Sequence, residues 1–119
     1  MPSSLLLIDD SAISRKMLIK KLPPNTYTIL EASSGAQGLE VYQENEVDLI
    51  FLDLTMPDMD GFETLEKLKQ IDSQAKVVVL SADVQISSQE RVMQLGALDF
   101  LHKPANVDHV HALLDKHLS

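Results

Sequence analysis

Val47-Asp48-Leu49-Ile50-Phe51-Leu52-Asp53-Leu54 sets the architecture of the chain. Its centre, Leu49-Ile50-Phe51-Leu52, is apolar at every position and lies between two aspartates, which marks a central strand. Upstream, Leu5-Leu6-Leu7-Ile8 is likewise apolar on both faces, as a strand buried between two helical layers must be, and it stops at Asp9-Asp10. Downstream, Val77-Val78-Val79-Leu80 is the most β-branched segment of the chain and ends at Ser81-Ala82-Asp83. Two weaker strands complete the set. Tyr27 to Ala32 alternates only partly and belongs near a sheet edge, and Leu98 to His102 is short and runs into Lys103-Pro104.

Between these runs lie amphipathic stretches. Ser11 can cap a helix in which Ile13, Met17, Ile19 and Leu22 supply apolar contacts while Arg15, Lys16, Lys20 and Lys21 favour water, and Pro23-Pro24 ends it. Ser34 opens a second helix to about Asn45. After the turn-rich Thr55-Met56-Pro57-Asp58-Met59-Asp60-Gly61, the near-helical spacing of Phe62, Leu65, Leu68 and Ile71 predicts a third. A polar fourth helix covers about Ser87 to Leu95, with Gly96 at a left-handed cap, and Val107, Val110, Leu113, Leu114 and Leu118 mark a fifth.

Five βα repeats with intervening segments of about a dozen residues predict a doubly wound α/β domain: a five-stranded parallel sheet, right-handed crossovers and helices on both faces. We expect one domain over residues 1–119, with no output domain. The composition excludes several other classes. Cysteine is absent, so there is neither a disulfide framework nor a thiolate metal site. A formal charge of −8 and only 4% aromatic residues argue against nucleic-acid binding and against anionic membrane surfaces. No apolar run approaches the ~18 residues of a membrane span, and no basic segment precedes the first run, so a cytoplasmic location is expected. Gly35 and Gly38 sit near a helix start, but no Gly-rich loop follows the first strand, so neither nucleotide fingerprint is met.

In doubly wound sheets, ligands sit outside the carboxyl ends of the strands. Asp9 and Asp10, Asp53, Ser81 and Lys103 each follow a predicted strand immediately, so all point to one rim. Each has an ordinary reading on its own: an Asp-Asp pair is turn or capping chemistry, Ser81 caps the next helix, and Lys103 is a solvated lysine. Together they read differently. Three carboxylates held close raise one another's pKa unless a cation lies among them, and oxygen donors alone favour a hard ion such as Mg²⁺. This set suits phosphoryl transfer to a carboxylate, with Asp53 as nucleophile, Asp9 and Asp10 holding the metal, Lys103 neutralising one phosphoryl oxygen and Ser81 donating to another.

These residues, with Met56-Pro57 and Asp60-Gly61 after Asp53, Ser81-Ala82, Gly96-Ala97, and Phe100 with Lys103-Pro104, resemble the receiver domain of two-component response regulators over essentially the whole chain. The resemblance implies a flavodoxin-like sheet of order 2-1-3-4-5, and phosphorylation of Asp53 by a histidine kinase or a histidine phosphotransfer protein. It implies Mg²⁺ held by Asp10, Asp53 and the backbone carbonyl of Thr55, with Asp9 acting mainly through a bound water. It further implies a switch in which Ser81 turns toward the phosphoryl group and Phe100 moves inward, a cis Lys103-Pro104 bond, and output through a downstream protein target. Thr55 and Asp83 occupy places that tune water access in that family. Such a domain is not an enzyme in the usual sense, catalysing only its own phosphorylation and dephosphorylation.

The residues leave two alternatives. A Mg²⁺-dependent phosphohydrolase with an aspartyl phosphate intermediate resembles D-x-D-x-T after the first strand, whereas Asp53 follows the third and is succeeded by Leu54-Thr55. A binding module that works without phosphorylation would not need the complete acidic, hydroxyl and lysine set. The four histidines form no metal pair, since His109 and His111 diverge on a helix, and with His102 and His117 they are read as surface residues. The basic residues of the first helix could dock an acidic helix of a kinase or simply be solvated.

Overall fold

Side chains alternate across a strand with a period of two, so a strand buried on both faces feeds two separate cores. The computed structural model, which describes residues 3–54, 60–82 and 85–118, shows this in every central strand. Leu5, Leu7, Leu49, Phe51, Val78 and Leu80 face one core, while Leu6, Ile8, Ile50, Leu52, Val77 and Val79 face the other. Full burial of each such side chain contributes roughly 1.5–3 kcal/mol. These two layers are what holds the sheet.

In chain order the elements are β1 (Ser4–Ile8), α1 (Ala12–Lys21), β2 (Thr28–Ala32), α2 (Gly35–Glu44), β3 (Leu49–Asp53), α3 (Gly61–Ile71), β4 (Val77–Ser81), α4 (Ile86–Gln94), β5 (Asp99–His102) and α5 (Val107–Leu118). All neighbouring strands are parallel and the order is β2-β1-β3-β4-β5. The weakly alternating strand lies at an edge. Leu18 and Leu22 of α1 and its C-terminal cap join Val110, Leu113 and Leu114 of α5 over one face. Leu65 and Leu68 of α3 and Val92 of α4, with Leu39 and Val41 of α2, cover the other. Among the described residues no helix is long and apolar enough to cross a membrane.

Helix starts follow capping chemistry. The Ser11, Ser34 and Asp60 side chains accept from the amides of Ser14, Gln37 and Glu63, satisfying donors that the first helical turn leaves without partners. Gly96 adopts φ +103°, the left-handed conformation that favours glycine after a helix. Gly61 is required for a different reason. A Cβ there would meet the Leu54 backbone and come within 2.7 Å of the Asp53 carbonyl, so the absence of a side chain lets α3 begin against the end of β3.

The structure corrects the reading of α1. Ile13 and Met17 are 73% and 48% exposed, whereas Leu18 is buried. Arg15, assigned to water, keeps only 15% of its side chain exposed. The helix is rotated so that Ser14 and Arg15 turn toward the strand ends. Ile71 and Val107, read as core positions, are also largely exposed. Among the histidines, His102 and His109 are exposed, but His111 is half-buried with Nε2 2.8 Å from the Lys21 carbonyl, so it ties α5 to the end of α1. His117 is likewise half-buried.

Candidate functional site

The winding reverses between β1 and β3, and register places Ile8 beside Leu52. One residue further along each strand come Asp9 and Asp53, the second already at the end of its ladder. Both continue the parity of the α1/α5 face, as does Lys103 beyond β5, because Leu101 belongs to that core. Ser81 and Phe100 carry the opposite parity and lean to the side of α3 and α4, where Val77, Val79 and Phe100 pack. The alternation thus sorts the rim into an acidic half with a lysine and a hydroxyl half with an aromatic.

In the acidic half, the Lys103 ammonium donates to Asp9 Oδ2 at 2.8 Å and lies 3.2 Å from Asp53 Oδ1. Asp9 and Asp53 are buried and Asp10 is exposed. The Ser11 amide donates to Asp9 Oδ1 at 2.9 Å, and the Asp9 amide donates to the Ala32 carbonyl at 3.0 Å. The first holds the carboxylate and the second fixes the backbone that carries it. Burial pushes the Asp9 carboxyl up, but hydrogen bonds from Lys103, Ser14 and the Ser11 amide, with the lysine charge, outweigh it and hold the group below its ordinary value. Burial pulls the Lys103 ammonium down, and its contacts with Asp9 and Asp53 outweigh that and hold it above its ordinary value.

One carboxylate oxygen from each of Asp9, Asp10 and Asp53 lies within 4.8 Å of the others, a set that could hold a metal ion. Three negative groups face one ammonium, a local excess of two charges that a divalent cation with a preference for oxygen would balance. The donor chemistry therefore fits such an ion. The Thr55 carbonyl lies outside the described residues, as do Met56, Pro57, Asp58, Met59 and Asp83.

In the other half, Ser81 is fully buried at the end of β4, and its carbonyl accepts from the Lys103 amide at 2.9 Å. Phe100 is half-buried and meets the His102 ring edge-on, with centroids 5.4 Å apart. His102 in turn contacts Gln89 of α4 at 3.2 Å. The Lys103-Pro104 bond is cis.

Two residues of α1 join the site without having been singled out for it. Ser14 Oγ accepts from Lys103 Nζ at 3.0 Å. Arg15 donates from Nη1 to the Asp9 carbonyl and from Nε to Glu31 on β2 at 2.8 Å, which pins the peptide linking Asp9 to Asp10. The only signal available was their distance from the Ser11 cap, three and four residues, which is one helical turn. Beside this cluster a cavity of about 430 Å³ opens, with Ile13, Met17 and Ala105 on its walls and Asp9, Asp53 and Lys103 at its polar end.

The family described as the response regulator receiver domain matches residues 5–115. The chemotaxis protein CheY of Bacillus subtilis strain 168 is 40% identical over 120 residues, covering 100% of both chains. The chemotaxis protein CheY of Thermotoga maritima is 33% identical over 117 residues and 98% of each chain. A solved CheX-CheY-BeF3-Mg²⁺ complex from Borrelia burgdorferi contains a chain similar to this one with a TM-score of 0.92 and 26% identity, covering 100% of this chain and 92% of that one.

Proposed function

This chain belongs to the response-regulator receiver family, and from that premise we propose that Asp53 accepts a phosphoryl group from a phosphohistidine and that the product state changes which protein the domain binds. The observation that carries this reading is the charge imbalance at the rim, where three clustered carboxylates face a single ammonium. In the transfer an Asp53 carboxylate oxygen attacks phosphorus while the P–N bond breaks. The electron pair of that bond stays on the imidazole nitrogen, which takes up a proton, and the product is an acyl phosphate.

Asp9, Asp10 and Asp53, with the Thr55 carbonyl, would hold Mg²⁺, which when bound would supply positive charge against the phosphoryl oxygens. Lys103 offsets the charge of a second oxygen, and Ser81 donates a hydrogen bond to a third. Through the parity it shares with Ser81, Phe100 is the residue that passes the change toward α4. The phosphate biases an equilibrium between states that already exist. We read residues 1–119 as one receiver domain whose chemistry is confined to its own phosphorylation and dephosphorylation.

The donor is a histidine kinase or a histidine phosphotransfer protein. Ile13 and Met17 present exposed apolar surface on α1, beside the cavity that leads to Asp53 and next to the exposed Lys16 and Lys20. That helix offers an acidic, apolar-centred partner helix both contact area and complementary charge.

Incubation with Mg²⁺ and acetyl phosphate tests the chemistry by intact-protein mass. The wild-type chain is expected to gain one phosphoryl group and Asp53→Ala none. A wild-type protein that gains nothing, or a variant that gains as much, overturns the reading.

A further inference from the structure

A lysine ammonium has three N–H donors and no acceptor. For Lys103 the structure supplies three acceptors: Asp9 Oδ2 at 2.8 Å, Ser14 Oγ at 3.0 Å and Asp53 Oδ1 at 3.2 Å. Two of these are carboxylates that the receiver chemistry assigns other work, Asp9 toward the cation and Asp53 toward phosphorus. Ser14 is the one neutral member. We propose that Ser14 is a positioning residue for Lys103, its hydroxyl holding the ammonium in place while Asp53 changes from carboxylate to acyl phosphate. This inference rests on the function proposed above.

The backbone around Ser14 suits that work. Its amide is fixed by the Ser11 side chain at 3.1 Å, so the hydroxyl projects from the first, capped turn of α1. A hydroxyl has lone pairs to receive as well as one proton to give, so Ser14 accepts from Lys103 while the same ammonium donates to Asp9 Oδ2.

Asp53 is the longest of the three contacts and the one that must be given up when its oxygen bonds to phosphorus. With Ser14 and Asp9 still engaged, the ammonium needs only a short swing to reach a phosphoryl oxygen. Without Ser14 it is bound by carboxylates alone and competes with a cation for the same oxygens. A long, flexible side chain then has no neutral anchor, and the loss of orientation is charged against the transfer rate.

Three variants separate the hydroxyl from the space it fills. Ser14→Thr keeps the hydroxyl, Ser14→Val matches threonine in size without it, and Ser14→Ala removes it and adds no bulk. The first readout is the ¹H–¹⁵N resonance of the Lys103 ammonium in metal-free protein at low temperature, where a triply bonded ammonium exchanges slowly. The second is the rate of acetyl phosphate phosphorylation at saturating Mg²⁺. Wild type and Ser14→Thr are expected to show the protected resonance. Ser14→Ala and Ser14→Val are expected to lose it and to phosphorylate about tenfold more slowly, the effect of about 1.4 kcal/mol on a barrier.

Any folding defect caused by bulk is shared by the threonine and valine variants, so their difference still reads the hydroxyl. Retention of resonance and rate in Ser14→Val and Ser14→Ala overturns the inference, as does a Ser14→Thr protein that behaves like Ser14→Val. If wild type itself accepts no phosphoryl group, the receiver reading falls and this inference with it; a phosphorylated wild type with unaffected variants sinks the role of Ser14 alone.

Discussion

Two polar clusters join distant parts of this chain, and they differ in stoichiometry. At the strand ends, Lys103 bridges Asp9 and Asp53 with Asp10 alongside. Between the helices of the opposite face, Tyr42 Oη of α2 donates to Asp72 Oδ2 at the end of α3 at 2.6 Å, and the Gln74 amide donates to Asp72 Oδ1 at 2.9 Å. The second cluster is closed: one carboxylate, with donors on both oxygens. The first is open, because three acids share one cation. A closed pair adds stability and responds to little. An open cluster stores repulsion that a cation or a new covalent bond can relieve, and so it can do chemistry.

Removing the single cation from the open cluster should show the largest effect on stability. Lys103→Ala leaves Asp9 and Asp53 buried without their ammonium. Breaking a buried pair costs about 3–5 kcal/mol, and the 25% exposure of the lysine side chain reduces this to roughly 2 kcal/mol in urea unfolding with EDTA present. Millimolar Mg²⁺ should narrow that gap, because a divalent ion replaces the missing positive charge. A gap that Mg²⁺ leaves unchanged would mean the two clusters do not differ in the way described.

Taking away one acid should act in the opposite direction. Asp10 is exposed and contributes to the acidic set. Asp10→Asn relieves like-charge repulsion and is expected to stabilise the metal-free protein by about 0.5 kcal/mol, a figure limited by solvent screening. The same substitution removes one of the three proposed ligands, so most of the rise in thermal midpoint expected from Mg²⁺ in wild type should vanish. Metal-free destabilisation by Asp10→Asn would contradict stored repulsion at the rim.

The open cluster was more legible in sequence than the details of the helix that braces it. A run of apolar residues ending in Asp is visible at Leu5–Asp9 and at Leu49–Asp53, and Lys103 follows the last strand, so the sequence places all three at one rim. That they share one face, with Lys103 touching both acids, is added by the structure. The rotation of α1 was not legible. Ile13, Met17, Leu18 and Ile19 spread apolar character around the helix, so periodicity could not choose a buried stripe. The choice was made by Ser14, whose hydroxyl meets Lys103, and by Arg15, which reaches the Asp9 carbonyl and Glu31, leaving Ile13 and Met17 exposed. Propensity and pattern carry no information on such long-range polar partners. The same holds for the Tyr42–Asp72 pair, since a tyrosine in a helix and an aspartate after another are each unremarkable until the helices pack. The switch roles given to Ser81 and Phe100, and the cis bond before Pro104, came from resemblance and not from local chemistry.

The closed pair should give the smallest effect and one independent of metal. Tyr42→Phe deletes a hydroxyl and leaves Asp72 with the Gln74 amide and water, so a loss of about 1–3 °C in thermal midpoint is expected, equal with EDTA and with Mg²⁺. Its pH dependence has a definite sign. Burial, then the hydrogen bond and charge of Asp72, push the Tyr42 hydroxyl from 10.0 up to about 12. A group whose pKa is raised on folding contributes in full below its unfolded value and loses that contribution as pH climbs. The wild-type advantage over Tyr42→Phe should therefore be constant at neutral pH and shrink between pH 10 and about 12. At the other end, the Tyr42 hydrogen bond, more than the Gln74 amide or Lys69, holds the Asp72 carboxyl below its ordinary 3.8. Its contribution is present above that value and is lost as pH falls through the lower folded value, so the advantage should fade again in acid. Subtracting one stability profile from the other cancels what the two proteins share and isolates the pair. An advantage that widens above pH 10, or that changes with Mg²⁺, would show that Tyr42 and Asp72 are coupled to the rim after all and that the two clusters form one system.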